Sequence, residues 1–254
     1  MTNTLPDTPP EPQAGNFRAG GRTVAAGRGW DWIADAFALF RRQPGMWILI
    51  LLLGGILFAA IGFIPVLGSL ANALLFPIFG AGLMLGCKAQ DQGGTLELAH
   101  LFAGFKQRTG DLVLVGVFNL VGWVIIAFAV AAVVGGGVFM GIMRGGLPGA
   151  GISILSMLIA LLLLTGLSVP LYMAVWFAPA LIVLHDIAPI AALKASFYAC
   201  LNNWIPFLIY SVVLLVLCVL AAIPAGLGYL VLLPVLAASV YTAYRDIFGA
   251  GQEA

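Results

Sequence analysis

Between residues 152 and 184 the chain runs through 33 successive positions without a single charged or histidine side chain. Such a stretch admits few solutions. Backbone polar groups placed in lipid must be satisfied within their own segment, which leaves a helix. As one straight helix it would be about 50 Å long, against a hydrocarbon core of roughly 30 Å. It is therefore either one kinked helix that projects from the bilayer, or two short spans divided at Pro170 and Pro179. Composition supports a membrane solution, because 62% of the residues are apolar, 8% are charged and the mean hydropathy is +1.10. A soluble domain with so few charges could not cover its surface.

Five further apolar runs, at 46–64, 66–86, 112–134, 204–223 and 227–244, each approach the length that a crossing needs. The basic residues choose between six and seven spans. With one crossing over 152–184, Arg18, Arg22, Arg28, Arg41, Arg42, Lys88, Lys106, Arg108, Lys194 and Arg245 share the side of the N-terminus, and only Arg144 lies opposite. A seventh crossing would carry Lys194 and Arg245 to the wrong side. The positive-inside rule thus predicts six spans in a bacterial inner membrane, with both termini cytoplasmic. The glycine-rich stretch 135–151 is expected to be a loop on the far side.

Three short segments have apolar residues at helical spacing and read as interfacial amphipathic helices. The first carries Trp30, Ile33, Phe37 and Phe40, with acids early and Arg41 and Arg42 late, and ends at Pro44-Gly45. The second carries Leu98, Leu101, Phe102 and Phe105, with Thr95 as its expected N-cap. The third covers 187–201, with Asp186 available as its cap and Ile190, Leu193, Phe197 and Leu201 on one face. Residues 1–27, rich in proline and glycine, cannot bury enough surface to fold; a disordered cytoplasmic tail without a cleavable signal peptide is expected there. The membrane domain then covers 28–249, and 250–254 form a short C-terminal tail.

The surface segments repeat. AFALFRRQPGMW from Ala36, LFAGFKQRTGDL from Leu101 and SFYACLNNWIPF from Ser196 share an aromatic residue, a second apolar residue three later, a polar turn and then a span. Pro77 precedes Lys88 by 11 residues, Pro234 precedes Arg245 by 11, and Pro170 is the counterpart in the middle unit. The predicted fold is all-α: a polytopic bundle of six transmembrane helices with three interfacial helices, arranged as three parallel hairpin repeats about an axis along the membrane normal.

The segments RGWDWIADAFALFRRQP, LFAGFK at Leu101, WFAPALIVLHD followed by ALKASFYACLNNWIPF, and YTAYRDIF at Tyr241 resemble a family of uncharacterised proteobacterial six-span inner-membrane proteins that carry a locus-style name of the BPSS type. More distantly the chain is similar to the membrane domain attached to some glycerophosphodiester phosphodiesterases. The likeness covers about 28–248 and implies the six-span fold. It implies no activity, since the catalytic domain of the distant relatives is absent from the chain.

Reactive motifs are missing. There is no HExxH, nucleophile elbow, P-loop, dinucleotide fingerprint or paired-cysteine site, and Cys87, Cys200 and Cys218 are too scattered for a metal site or a disulfide framework. His185 and Asp186 are neighbours and could form a base or a pH-sensitive contact, but adjacent helical residues point in different directions. No Asp, Glu, Lys, Arg or His falls inside an expected span, which counts against an ion pump or a proton-coupled transporter. Asn72 and Asn119, inside spans, read first as hydrogen-bonding partners of neighbouring helices. Gly82-x-x-x-Gly86 and Gly55-x-x-x-Ala59 read as sites of close helix packing, with contact between copies as the alternative.

No catalytic, cofactor-binding or metal-binding residue is therefore expected. The favoured reading is a non-enzymatic scaffold, assembly or regulatory factor of an envelope complex. Its docking surface would lie on the cytoplasmic segments, at Phe37, Arg41, Phe102, Lys106, His185, Asp186, Lys194 and Phe197. The alternative is a carrier or flippase for a lipid or other apolar solute, with kinks at Pro77, Pro170 and Pro234 opening a cavity near Asn72 and Asn119. Membrane lipids, and a membrane-protein partner or a second copy, are the expected partners; nucleic acid is not.

Overall fold

The computed structural model describes residues 20–143 and 154–249. Within them the chain forms α1 (Arg28–Arg42), α2 (Pro44–Gly62), α3 (Leu67–Asp91), a 3₁₀ helix (Leu98–Phe105), α4 (Thr109–Met143), α5 (Ile154–Val175), α6 (Ala178–His185), α7 (Pro189–Asn202), α8 (Trp204–Ala222) and α9 (Tyr229–Phe248). The described residues contain no strand. Six segments are long and apolar enough to cross a membrane: α2, α3, α4, α5 with α6, α8 and α9.

The long apolar run is one crossing, broken near its end. At eight residues α6 covers about 12 Å, too short to cross alone. Pro170 sits inside α5 without interrupting it, and the break falls at Trp176 and Phe177, just ahead of Pro179. A side chain from elsewhere explains the position. The Phe177 N–H donates to Ser196 Oγ at 3.0 Å, and that hydroxyl donates to the Met173 carbonyl at 2.7 Å. Ser196 of α7 thus stands inside what would have been an i to i+4 helical bond and satisfies both of its ends.

Several local expectations are corrected. α4 continues through Gly135, Gly136 and Gly137 to Met143, so the first part of the expected loop is helical. Away from water nothing competes for its backbone groups, and glycine is then tolerated in the helix. The rest of that stretch, with Arg144, lies outside the described residues. The second surface segment is a 3₁₀ helix capped by Glu97 rather than Thr95, with a reciprocal bond between Glu97 and His100. Asp186 is the left-handed C-cap of α6, at φ 54°, and Ala188 precedes α7. The expected α7 face is split, with Leu193 buried while Ile190 and Leu201 point outward. Of the expected tail, 1–19 lie outside the described residues, and 20–27 make fixed contacts described below.

The core is concentrated toward one end of the bundle. The largest fully buried side chains include Trp32, Trp47, Phe177 and Phe248, together with Leu96, Leu101, Leu112 and Leu181, all close to the ends of helices that carry the charged residues. Toward the other end, Phe63, Phe128, Leu162 and Ile223 are exposed, as lipid-facing residues should be. α9 and α3 are the central helices: 61% and 44% of their apolar windows are buried, against 17% or less for the other four crossings.

Packing follows a cycle. α1 packs on α9, the 3₁₀ helix on α3, and α7 on α5 and α6, so each surface helix rests on the returning span of the preceding unit. The far turns of the first and third hairpins also correspond. Each has a proline followed by a non-glycine residue at positive φ, Pro65-Val66 at 63° and Pro224-Ala225 at 52°.

Candidate functional site

The three polar turns before the outgoing spans place Gln43, Arg108 and Asn203 at the same register of the repeat. Each reaches the segment that leads into the next surface helix. Gln43 Oε1 accepts the Leu96 N–H at 2.6 Å, ahead of the 3₁₀ helix. The Arg108 guanidinium donates to the Asp186 backbone oxygen at 3.3 Å and to its carboxylate at 3.4 Å, ahead of α7. Asn203 Oδ1 accepts the Val24 N–H at 2.8 Å and its Nδ2 donates to the Arg22 carbonyl at 3.0 Å, ahead of α1. The three units are thereby latched head to tail in a ring.

Further polar groups reinforce that ring. Asp246, at the end of α9 and 7% exposed, accepts from Arg22 Nη2 at 2.8 Å, Arg28 Nε at 2.7 Å and the Trp32 indole N–H at 2.9 Å. The hydrogen bond to Asp246 holds Arg28 still more firmly in its charged form, against the opposing effect of burial. Arg245 bridges Asp91 of α3 at 2.6 Å and Asp35 of α1 at 3.2 Å, and Tyr241 donates to Asp91 at 3.1 Å. Gln90 accepts the Trp47 indole N–H at 3.2 Å and donates to Gln43 at 3.3 Å, while Arg42 donates to the Gln90 carbonyl at 2.6 Å. These contacts gather the charged ends of the helices on one face, and the described chain ends, Gly20 and Gly249, lie there together through the Arg22 N–H bond to the Ile247 carbonyl. The Asp246, Asp91 and Asp35 carboxylates are each bound to an arginine, and these charge-assisted bonds tie the helix ends together.

Outside the ring, the residues singled out in the sequence divide. Phe37 is 43% exposed on α1 with the Arg41 guanidinium 5.6 Å from its ring centre, and Phe102 is 40% exposed on the 3₁₀ helix, which Lys106 follows. Lys194 is exposed on α7, but Phe197 is half-buried against Tyr198. The His185 ring lies 5.9 Å from Tyr244, while the Asp186 carboxylate is engaged by Arg108. These residues form an outward belt rather than one pocket.

In the spans, Pro77 and Pro234 are buried whereas Pro170 is exposed. Asn72 donates to the Phe58 carbonyl at 3.0 Å and so ties α3 to α2, as a buried amide is expected to do; its Oδ1 has no partner. Asn119 is half-buried on α4. A shallow apolar groove of about 60 Å³, lined by Ile48, Leu51, Tyr229, Leu233 and Pro234, separates α2 from α9. Gly82 and Gly86 do mediate close packing, but against the 3₁₀ helix, whereas Gly55 faces open space. Among the described residues no three His, Cys, Asp or Glu side chains converge as metal ligands.

The latches escaped the sequence reading because Gln43, Arg108 and Asn203 differ in type. Their shared offset within the aligned repeats was the signal available.

The chain is 30% identical over 251 residues to the probable inner membrane protein BTH_II0599 of Burkholderia thailandensis, covering 89% of this chain and 93% of that protein. No family model and no solved structure matches it. It belongs to the family of that Burkholderia protein and, with its six apolar crossings, is a multi-pass inner-membrane protein.

Proposed function

From membership in that inner-membrane family, we propose that the protein is a non-enzymatic scaffold, assembly or regulatory factor of an envelope complex, with its latched face in the cytoplasm. One observation carries the reading. The buried and half-buried carboxylates of the charged face are paired with arginines, between the first and third units at Asp246, Asp91 and Asp35 and within one unit at Asp31 and Asp111, which builds a rigid platform. The platform offers its outward residues, Phe37, Phe102 and Lys194 among them, as the docking surface for a membrane-protein partner. The carrier reading has less support, because Pro77 and Pro234 are buried while Pro170 is exposed, so the three prolines sit in different environments.

The test is purification in native lipid discs from cells carrying the wild-type chain or Phe37→Asp. A stoichiometric protein partner that is retained by the first and lost from the second, with the bundle still folded, supports the scaffold. A partner kept by Phe37→Asp removes α1 as the docking surface. Transbilayer lipid movement in reconstituted vesicles, lowered by Pro170→Ala, would replace the scaffold by the carrier.

A further inference from the structure

Nine lysines and arginines lie among the described residues. Five of them, Arg22, Arg28, Arg42, Arg108 and Arg245, are bound by carboxylates or carbonyls of the protein, and Lys88 is half-buried at the end of α3. The other three, Arg41, Lys106 and Lys194, are exposed, and none has a carboxylate or carbonyl partner for its side chain among the described residues. They are distributed one to each surface element: Arg41 closes α1, Lys106 follows the 3₁₀ helix, and Lys194 lies on α7 two turns ahead of the corresponding register, where Leu201 stands instead.

Each cation has an outward aromatic companion. Arg41 lies over Phe37 at 5.6 Å, Lys106 follows Phe105, which is 41% exposed, and Lys194 precedes by one turn Tyr198, which is 56% exposed. Trp30 and Trp204, more than half exposed, continue the same belt around the helix ends. Aromatic rings settle at the headgroup level, and long basic side chains extend from there toward the phosphates. Exposed cations beside outward aromatic rings favour an anionic neighbour, and the anionic groups that surround the whole circumference of a membrane protein are those of the bilayer.

We propose that Arg41, Lys106 and Lys194 bind the phosphates of anionic phospholipids in the leaflet on the charged side, with Phe37, Phe105 and Tyr198 seated beside the glycerol esters. The repeat thus carries one headgroup subsite per unit. The inference takes from the proposed function the cytoplasmic orientation of that face and assigns Phe37 and Lys194, which that reading gives to a protein partner, to lipid in the free chain; its test uses the purified chain alone, so its failure is distinguishable from that of the docking reading.

The full chain is equilibrated with phosphatidylglycerol or with phosphatidylcholine in mild detergent, and retained lipids are counted by native mass spectrometry. The wild type is expected to keep phosphatidylglycerol preferentially. Arg41→Gln, Lys106→Gln and Lys194→Gln each remove one retained lipid, with about fivefold weaker binding per charge, the equivalent of roughly 1 kcal/mol for a basic residue near an anionic surface. The triple variant falls to the phosphatidylcholine level, while Lys106→Arg and Lys194→Arg retain the lipid. None of the three side chains bonds another element of the protein, so Lys106→Gln and Lys194→Gln keep the wild-type unfolding midpoint, and Arg41→Gln loses only its contact over the Phe37 ring of the same helix. Equal retention of both lipids, or a triple variant that keeps as much phosphatidylglycerol as the wild type, overturns the inference.

Discussion

Asp246→Ala tests the latch between the third and first units most directly. The carboxylate takes three side-chain hydrogen bonds while its own side chain is 5% exposed, so none of its acceptor capacity is turned to water. Arg22 and Arg28 retain 35% and 37% of their side-chain surface and can rehydrate when the charge is removed, so each bond is worth only about 0.5–1 kcal/mol. Trp32 is fully buried, and with the carboxylate removed its indole N–H is left without an acceptor, at about 1–3 kcal/mol. The total is about 2–5 kcal/mol, with the larger share from the uncharged donor. Unfolding of the detergent-solubilised protein gives the total, and hydrogen exchange gives its location: the Arg22 and Val24 amides, bonded to the Ile247 carbonyl and Asn203 Oδ1, should lose protection while those of α3 keep theirs. In a Trp32→Phe background the same substitution should cost less by about 1 kcal/mol or more. Additivity of the two changes to within about 0.5 kcal/mol, or unchanged exchange at Arg22 and Val24, would refute the reasoning.

Ser196→Ala leaves the Phe177 N–H and Met173 carbonyl facing each other across a missing hydroxyl; it should cost about 1–3 kcal/mol by chemical denaturation and raise exchange at the break between α5 and α6. Gly82→Ala places a Cβ against the His100 carbonyl and should destabilise by about 1–3 kcal/mol, whereas Gly80→Ala, which meets open space, should leave the unfolding midpoint unchanged or raise it slightly. Burial pushes the Cys200 thiol up to about 12, so at pH 8 about one molecule in ten thousand carries the thiolate, and iodoacetamide should modify Cys200 in the folded protein only at the rate of local opening. A reporter active only in the cytoplasm, fused after Gly249, should be active, and activity of a periplasmic reporter at that position would reverse the proposed orientation.

Much of the fold was legible from local chemistry. Runs near 20 residues without charges have to be helices in lipid, so five of the six crossings appear close to their expected limits, and α4 is longer only because glycine does not end a helix where water is absent. Phe37 and Arg41 were legible as neighbours because helical periodicity joins them, whereas Phe102 lies in a 3₁₀ helix that ends before Lys106, where a spacing of four no longer marks one face. Phe197 was not legible, since periodicity cannot say whether an apolar face meets lipid or another helix, and α7 presents both.

By itself the sequence determined the six crossings, the sorting of basic residues that it predicts, and the recurrence of one surface helix and hairpin in each third of the chain. These depend on the transfer of apolar segments into lipid and on short-range spacing, which each segment carries within itself. Only the tertiary structure decided how the thirds engage. Asp246 meets Trp32 across 214 positions, and Asn203 meets Val24 across 179. The break at Phe177 is held open by a serine 19 residues away. A polar side chain is compatible with many partners, and the one it satisfies depends on which helix ends the packed core has already brought within about 3 Å.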